Sequence, residues 1–337
     1  MLTKIKRLIT RSIGAARAII EGDFYPTNLQ NQLTILQSLQ SALQRLDAIE
    51  RNEAISSQQI SEITTQLSNV AITLGAHLGN WKLESDQNAP EERIIEFLFP
   101  RLHNKTILDV GAHRGTFTSQ MLAIGGCTVY AFEPHPELAK DLINKYEADK
   151  RVIIIPAALS SEDGSAELNL VRKNNQANLD VDTLLFSSLK PHNMPAGLEF
   201  HGSVRVSVRS LQSLTDERIV PQKVGLLKVD TEGHDLMVFK GMPKGTPYEM
   251  LMNEFWSDDF VFATPDIPRH EEVQAFLRER GYGFSISILR SDKDKITFLA
   301  NRPVGISKTW GNTLYFRDVA LFDAAYSFVK NVIPQNF

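Results

Sequence analysis

The 337-residue chain carries 36 Lys and Arg against 40 Asp and Glu, a formal net charge of −4, and is 42% hydrophobic. That balance supplies no basic field for nucleic acid, and the lone cysteine, Cys127, excludes an intrachain disulfide framework and a cysteine zinc cage. No apolar stretch approaches the roughly 20 residues that span a bilayer, so the expectation is a cytoplasmic protein that at most lies against a membrane.

Residues 1–22 predict a basic amphipathic helix. Leu2, Ile5, Ile9, Ile13, Ala16 and Ile20 recur at spacings of three and four, with Lys4, Lys6, Arg7, Arg11 and Arg17 between them. Residues 1–21 could serve a peripheral membrane contact or simply pack with a solvated basic face; both readings stay open. Residues 27–85 predict a helical region. Its apolar seam runs from Ile35 through Leu39, Leu46, Ile60 and Leu67 to Leu74, interrupted only by Glu53 and Ser56. Such a seam suits a coiled coil that makes a homo-oligomer, or two helices folded into a hairpin.

Residues 90–320 read as an α/β domain, entered by a short helix at Ile94, Ile95, Leu98 and Phe99, with a chemically featureless tail over 321–337. TILDVGAHRG (Thr106 to Gly115) is a strand ending in a glycine turn, and Thr116 to Ile124 is the helix after it. Thr128 to Phe132 forms the next strand, ending at Glu133. This is a βαβ unit whose ligands collect at the carboxyl ends of parallel strands. Gly111 and Gly115 are four apart with no middle glycine, so a dinucleotide pyrophosphate, and with it a nicotinamide dehydrogenase, is disfavoured. Asp109 before the turn would tolerate a cationic ligand, and Glu133 is placed to grip ribose hydroxyls. Together they suit S-adenosylmethionine.

The stretches DVGAHRGTFT (Asp109 to Thr118), AFEPHP (Ala131 to Pro136) and above all LLKVDTEGHDLMVFKGM (Leu226 to Met242) resemble the FkbM-type S-adenosylmethionine-dependent methyltransferases. The resemblance covers roughly Ile107 to Asp318. It implies a Rossmann-like class I fold and methyl transfer to a hydroxyl of a sugar, glycan or related small molecule. The chain departs from the common family pattern at His113, where many members carry Asn, and at Gln212, where Asp is usual. The expected cofactor-binding set is Asp109, Gly111, Ala112, His113, Gly115, Phe117, Glu133, Pro134, Ala157 and Ala158.

Val152 to Leu159 reads as a third strand, with Ala157 and Ala158 small enough to lie beside a flat base. Asp163-Gly164 predicts a hairpin turn into a strand at Ser165 to Val171. Arg172 to His201 is a long polar insert, broken by Leu184, Leu185 and Phe186, of the kind that forms a lid or an acceptor-binding segment. Val204 to Val208 is a half-exposed strand. Gly225 to Val229 is apolar except for Lys228 and delivers Asp230, Glu232, His234 and Asp235 at its end. Asp230, His234 and Glu232 are the candidate catalytic residues, since a hydroxyl acceptor needs a group to take its proton. Asp235 or Glu232 could instead only cap the next helix, and Lys228 could pair with Asp109 or Glu254. Glu254 closes the strand Glu249 to Phe255, where with Asp230 it offers two oxygens to a divalent cation, which is not expected to be required. A helix at His270 to Arg280 and strands at Phe284 to Leu289 and Thr313 to Phe316 complete a mostly parallel seven-stranded sheet. The alternative function is a methyltransferase-fold scaffold that acts through its N-terminal helices.

Overall fold

The computed structural model describes residues 89–174, 182–245, 248–292, 295–301 and 308–332. The helices expected over 1–22 and 27–85, with the oligomer and membrane contacts read from them, lie outside the described residues. The chain divides into two units, residues 1–101 with 327–334 and residues 102–326 with 335–337. In the first unit, α1 (Ala89–Leu98) continues into a 3-10 turn, Phe99–Arg101. Phe97 stacks on Phe328 at 4.3 Å between ring centroids, and Arg101 lies over the Phe97 ring.

The second unit is the α/β domain. Its large sheet joins β1 (Thr106–Val110), β2 (Thr128–Phe132), β3 (Val152–Ile155), β7 (Val224–Val229), β8 (Tyr248–Trp256), β9 (Phe284–Asp292), β10 (Lys295–Ala300) and β11 (Trp310–Phe316). The order is β10-β9-β11-β8-β7-β1-β2-β3, with β8, β7, β1, β2 and β3 parallel and the other three antiparallel. β7 is buried at every position, the pattern of a strand covered on both faces. The connecting helices are α2 (Thr116–Ile124), α3 (Pro136–Tyr146), α4 (Leu211–Asp216), α5 (Asp235–Lys240) and α6 (His270–Glu279). α3 starts on Pro136, whose fixed φ suits a first helical turn, and buries Leu138, Ala139 and Leu142.

A second sheet, ordered β4-β6-β5, is built from β4 (Ala158–Leu159), β5 (Gly164–Lys173) and β6 (Leu198–Arg209). It buries Leu168, Val206 and Val208 with Ala158.

Three expectations are corrected. The strand over Val152 to Leu159 is two strands in two sheets, because Pro156 has no N–H for a ladder and the chain turns there through an Ala157 N–H bond to the Ile155 carbonyl. Asp163-Gly164 does not make a hairpin, since β4 and β5 do not pair with each other and β6 lies between them. The Asp163 carboxylate instead accepts the Ser210 N–H at 2.7 Å and the Ser213 hydroxyl at 2.6 Å, tying the turn to α4. The large sheet has eight strands among the described residues rather than seven, β10 being the addition. Within the region read as a tail, Val319–Val332 form a helix, α7, whose Phe322 meets Phe284 at 5.2 Å.

Candidate functional site

The carboxyl ends of β1, β2, β7 and β8 lie along one sheet edge, and the site is assembled there. The turn after β1 is pinned by its backbone: the N–H groups of Gly111 and Ala112 both bond the Phe132 carbonyl, at 3.1 and 3.0 Å. Behind it, Asp109 is fully buried. It accepts the Thr118 hydroxyl at 2.7 Å and pairs with Lys228 Nζ at 3.2 Å. Lys228 also donates to the Gly111 carbonyl at 3.0 Å and lies 3.4 Å from Asp230. Burial works against this ammonium, but Asp109 and Asp230 outweigh it and hold its pKa above the ordinary lysine value. Of the partners considered for Lys228, the structure selects Asp109 and adds Asp230.

Glu133 ends β2 and is 5% exposed. One carboxylate oxygen accepts the His113 N–H at 2.7 Å, the other the His135 N–H at 2.8 Å. Burial raises its pKa to about 7, against the pull of those two N–H groups and of Lys228. Each oxygen keeps lone-pair capacity toward the cavity beside it.

The motif after β7 bends through two left-handed residues, Glu232 (φ 53°) and Gly233 (φ 91°). Asp235 stands at the first turn of α5, but no side chain caps this helix: the N-cap is His234, and the Asp235 carboxylate accepts the Thr231 N–H at 3.0 Å and the Asn253 amide at 3.2 Å. Burial lifts Asp235 to about 7. Asp230, Glu232 and Glu254 converge, each offering a carboxylate oxygen within 4.8 Å of the others. Burial first, then the charges of Asp230 and Asp235, holds Glu232 well above the ordinary carboxylate range, and burial followed by Glu232, Asp230 and Asp235 does the same for Glu254. Such a cluster can hold a proton or ligate a cation. His234 bonds Ser160 Oγ through Nε2 at 3.0 Å, and burial, helped by Lys190, lowers its pKa to about 4.

One cavity brings together Gly111, His113, Glu133, Pro134, Ala157, Ala158, Asp230, Glu232 and His234 from the expected set. Asp109, Ala112, Gly115 and Phe117 are not among its lining residues; Ala112 and Gly115 build the turn, the Gly115 N–H bonding the Ala112 carbonyl at 2.7 Å. Sequence reasoning missed Thr231, Leu159 and Leu168 as lining residues, and in the insert it singled out Leu184, Leu185 and Phe186 without giving any of them a place in the site. Leu184, Leu185, Ser187, Ser188 and Leu189 form a wall there. The signal was present, a short apolar run inside a polar insert. The wall is tied down on both sides. Asp182 accepts from Arg114 Nε at 2.5 Å and lies 3.3 Å from His113 Nε2, while the Ser188 hydroxyl donates to the Glu232 carbonyl at 2.8 Å. Gln212 faces away from this chemistry and donates to Asp216.

The raised acids set a stability profile. From the ordinary carboxylate range up to about pH 7, the folded chain keeps protons on Glu133 and Asp235 that an unfolded chain releases, so stability falls as pH rises. Below the ordinary histidine pKa of about 6.5, His234 (about 4) and His270 (about 3) act oppositely, because only the unfolded chain takes up their protons. Melting temperature should therefore decline from about pH 6.5 to 8.5 and change little between about 5 and 6.5. A steady rise toward alkaline pH in a calorimetric series would contradict this.

Residues 109–284 match the family described as Methyltransferase FkbM domain. A hexuronic acid methyltransferase, AglP, from Haloferax volcanii is 26% identical over 193 residues, covering 56% of this chain and 70% of that protein. Among solved structures, a putative methyltransferase from Streptococcus mutans in complex with SAH is 10% identical, covers 69% of this chain and 98% of its own, and superposes with a TM-score of 0.34. A putative O-methyltransferase from Klebsiella pneumoniae is likewise 10% identical, covers 74% and 89%, and gives 0.35. With the family match spanning more than half of its length, from the β1 carboxylate Asp109 to the start of β9, the chain belongs to the FkbM methyltransferase family.

Proposed function

We propose that this protein transfers a methyl group from S-adenosylmethionine to a hydroxyl of a sugar or related polyhydroxylated acceptor. The observation that carries the cofactor reading is Glu133, a carboxylate anchored by two backbone N–H groups at the mouth of a cavity whose floor is apolar and whose other end is acidic. The residues present fit the molecule. Glu133 suits a pair of ribose hydroxyls, Ala157 and Ala158 suit a flat base, and Asp230 and Glu232 suit positive charge.

When bound, S-adenosylmethionine supplies a methyl group on a positively charged sulfur, open to displacement by an oxygen nucleophile. Glu232, raised above the ordinary carboxylate range by burial and then by Asp230 and Asp235, lines the cavity and is a stronger base than an ordinary carboxylate once it is ionised, which suits it to take a hydroxyl proton. His234, held near 4, is a poorer proton acceptor. The wall from Leu184 to Leu189 limits water. A sugar acceptor is supported by the family resemblance and by the relative named for hexuronic acid.

Calorimetry with S-adenosylhomocysteine tests the cofactor reading. Wild type is expected to bind, and Glu133→Ala to weaken binding about a hundredfold, the loss of two hydrogen bonds to a charged group. No binding by wild type at millimolar ligand would refute it. Methyl transfer to a panel of sugars and nucleotide sugars, with and without EDTA, tests the acceptor. Turnover that survives EDTA assigns the acid cluster to proton transfer, and turnover restored by Mg²⁺ assigns it to a cation.

A further inference from the structure

Glu232 lines the cavity from a left-handed backbone, φ 53°, and is followed by Gly233 at 91°. A residue with a Cβ takes that conformation at a cost, and it persists where the surrounding structure imposes it. Two groups grip this turn. On one side the Asp235 carboxylate accepts the Thr231 N–H at 3.0 Å. On the other, the Ser188 hydroxyl lies 2.8 Å from the Glu232 carbonyl and 3.3 Å from that of Thr231, so its proton is offered to two consecutive peptide groups.

Ser188 belongs to the insert, 44 positions before Glu232, and is 1% exposed. It is itself held fast. Its carbonyl accepts the Asn169 N–H at 2.9 Å and the Asn169 side-chain amide at 3.0 Å, which joins the insert to β5. The Lys190 N–H donates to the Ser188 hydroxyl oxygen at 3.1 Å. With that N–H on its oxygen, the hydroxyl has its proton left for the loop carbonyls. Leu184, Leu185 and Leu189 of the insert line the same cavity as Glu232. The tie therefore sets where the carboxylate stands relative to whatever fills the cavity.

Resting on the cofactor reading above, we infer that Ser188 is a positioning residue, which fixes the Glu232 turn so that the acidic end of the cavity favours the sulfonium methyl donor over its thioether product. Donor and product share base, ribose and amino-acid moiety, and differ by one methyl group and the positive charge on sulfur. The attraction between a carboxylate and that charge falls with distance and is screened little inside a protein, so a displaced turn costs the donor and spares the product. In the transfer, the methyl carbon bonds the acceptor oxygen and the sulfur keeps the electron pair of the broken C–S bond. The hydroxyl proton passes to Glu232. Both members of the charge pair are then neutral, which favours release of the product.

Calorimetry on the full chain with S-adenosylmethionine and S-adenosylhomocysteine tests the assignment. Ser188→Ala is expected to weaken binding of the methyl donor about tenfold and of the product by less than about threefold. Glu232→Gln should lower the same preference. Adding Ser188→Ala to Glu232→Gln should then change it by less than about twofold, because the hydroxyl acts through that carboxylate. Ser188→Thr, which keeps the hydroxyl, should keep the preference. If the alanine variant fails to fold in a thermal melt, Ser188→Cys, close in size but a weak donor, should lower the preference about threefold. Equal losses for both ligands, no change in either, or a loss that Glu232→Gln does not absorb would overturn the assignment while wild-type binding keeps the cofactor reading intact. Failure of wild type to bind either ligand would overturn both.

Discussion

Lys228→Met should destabilise the protein by about 3–5 kcal/mol, measured as a drop in urea midpoint at unchanged slope. The strand register sets Lys228 beside Asp109 across the β7–β1 pair, and Asp109 has no exposure at all. Removing the ammonium leaves that carboxylate in the core with only the Thr118 hydroxyl, deprives the Gly111 carbonyl of a donor, and removes the partner of Asp230. A buried charge left uncompensated costs far more than the net worth of the pair. The double variant Lys228→Met, Asp109→Asn should recover much of the loss, because the orphaned charge goes with its partner. A single variant that loses under about 1 kcal/mol would mean that the buried ion pair contributes little to stability.

Gly111→Ala should abolish measurable cofactor binding and cost about 2–4 kcal/mol of stability. Gly111 sits at φ 77°, and a Cβ there would stand 1.8 Å from the Asp230 carbonyl oxygen. That oxygen belongs to backbone fixed by its own ladder, the Asp230 N–H bonding the Val110 carbonyl at 3.1 Å, so nothing flexible can yield. The two turns at the ends of β1 and β7 would be forced apart, displacing the Gly111 and Asp230 walls of the cavity together. Gly125→Ala is the control. Its φ of 86° carries similar backbone strain, but nothing lies within 4 Å of the added carbon, so it should cost about 1 kcal/mol and leave cofactor binding intact. Equal effects from the two substitutions would show that backbone strain, and not the closeness of the turns, governs the site.

The parts of the site legible in sequence are those built by one strand and the turn that follows it. Gly111, Glu133 and Asp230 each stand one residue past an apolar strand, and a parallel sheet brings such positions to one edge whatever the rest of the chain does. What the sequence misplaced depends on partners distant in the chain. Asp109 read as a residue for the cofactor, yet the sheet buries it against Lys228, 119 positions later. Val152 to Leu159 read as one strand because local pattern does not reveal that its last residues pair with Val208 and Arg209. The insert's apolar run could be seen, but the cavity against which it packs is formed by strands on both sides of it.

Composition, strand and helix periodicity and the three motif stretches by themselves determined an α/β protein of this family, since period and turn chemistry are local properties and need no partner. Only the tertiary structure decided which titratable groups meet. It made Lys228 the counter-ion of two aspartates, gathered Glu232 and Glu254 with Asp230, and turned His234 onto Ser160. The physical reason is that a side chain's protonation and its vacant hydrogen-bonding capacity are set by burial and neighbours, and those neighbours come from strands far apart in the chain.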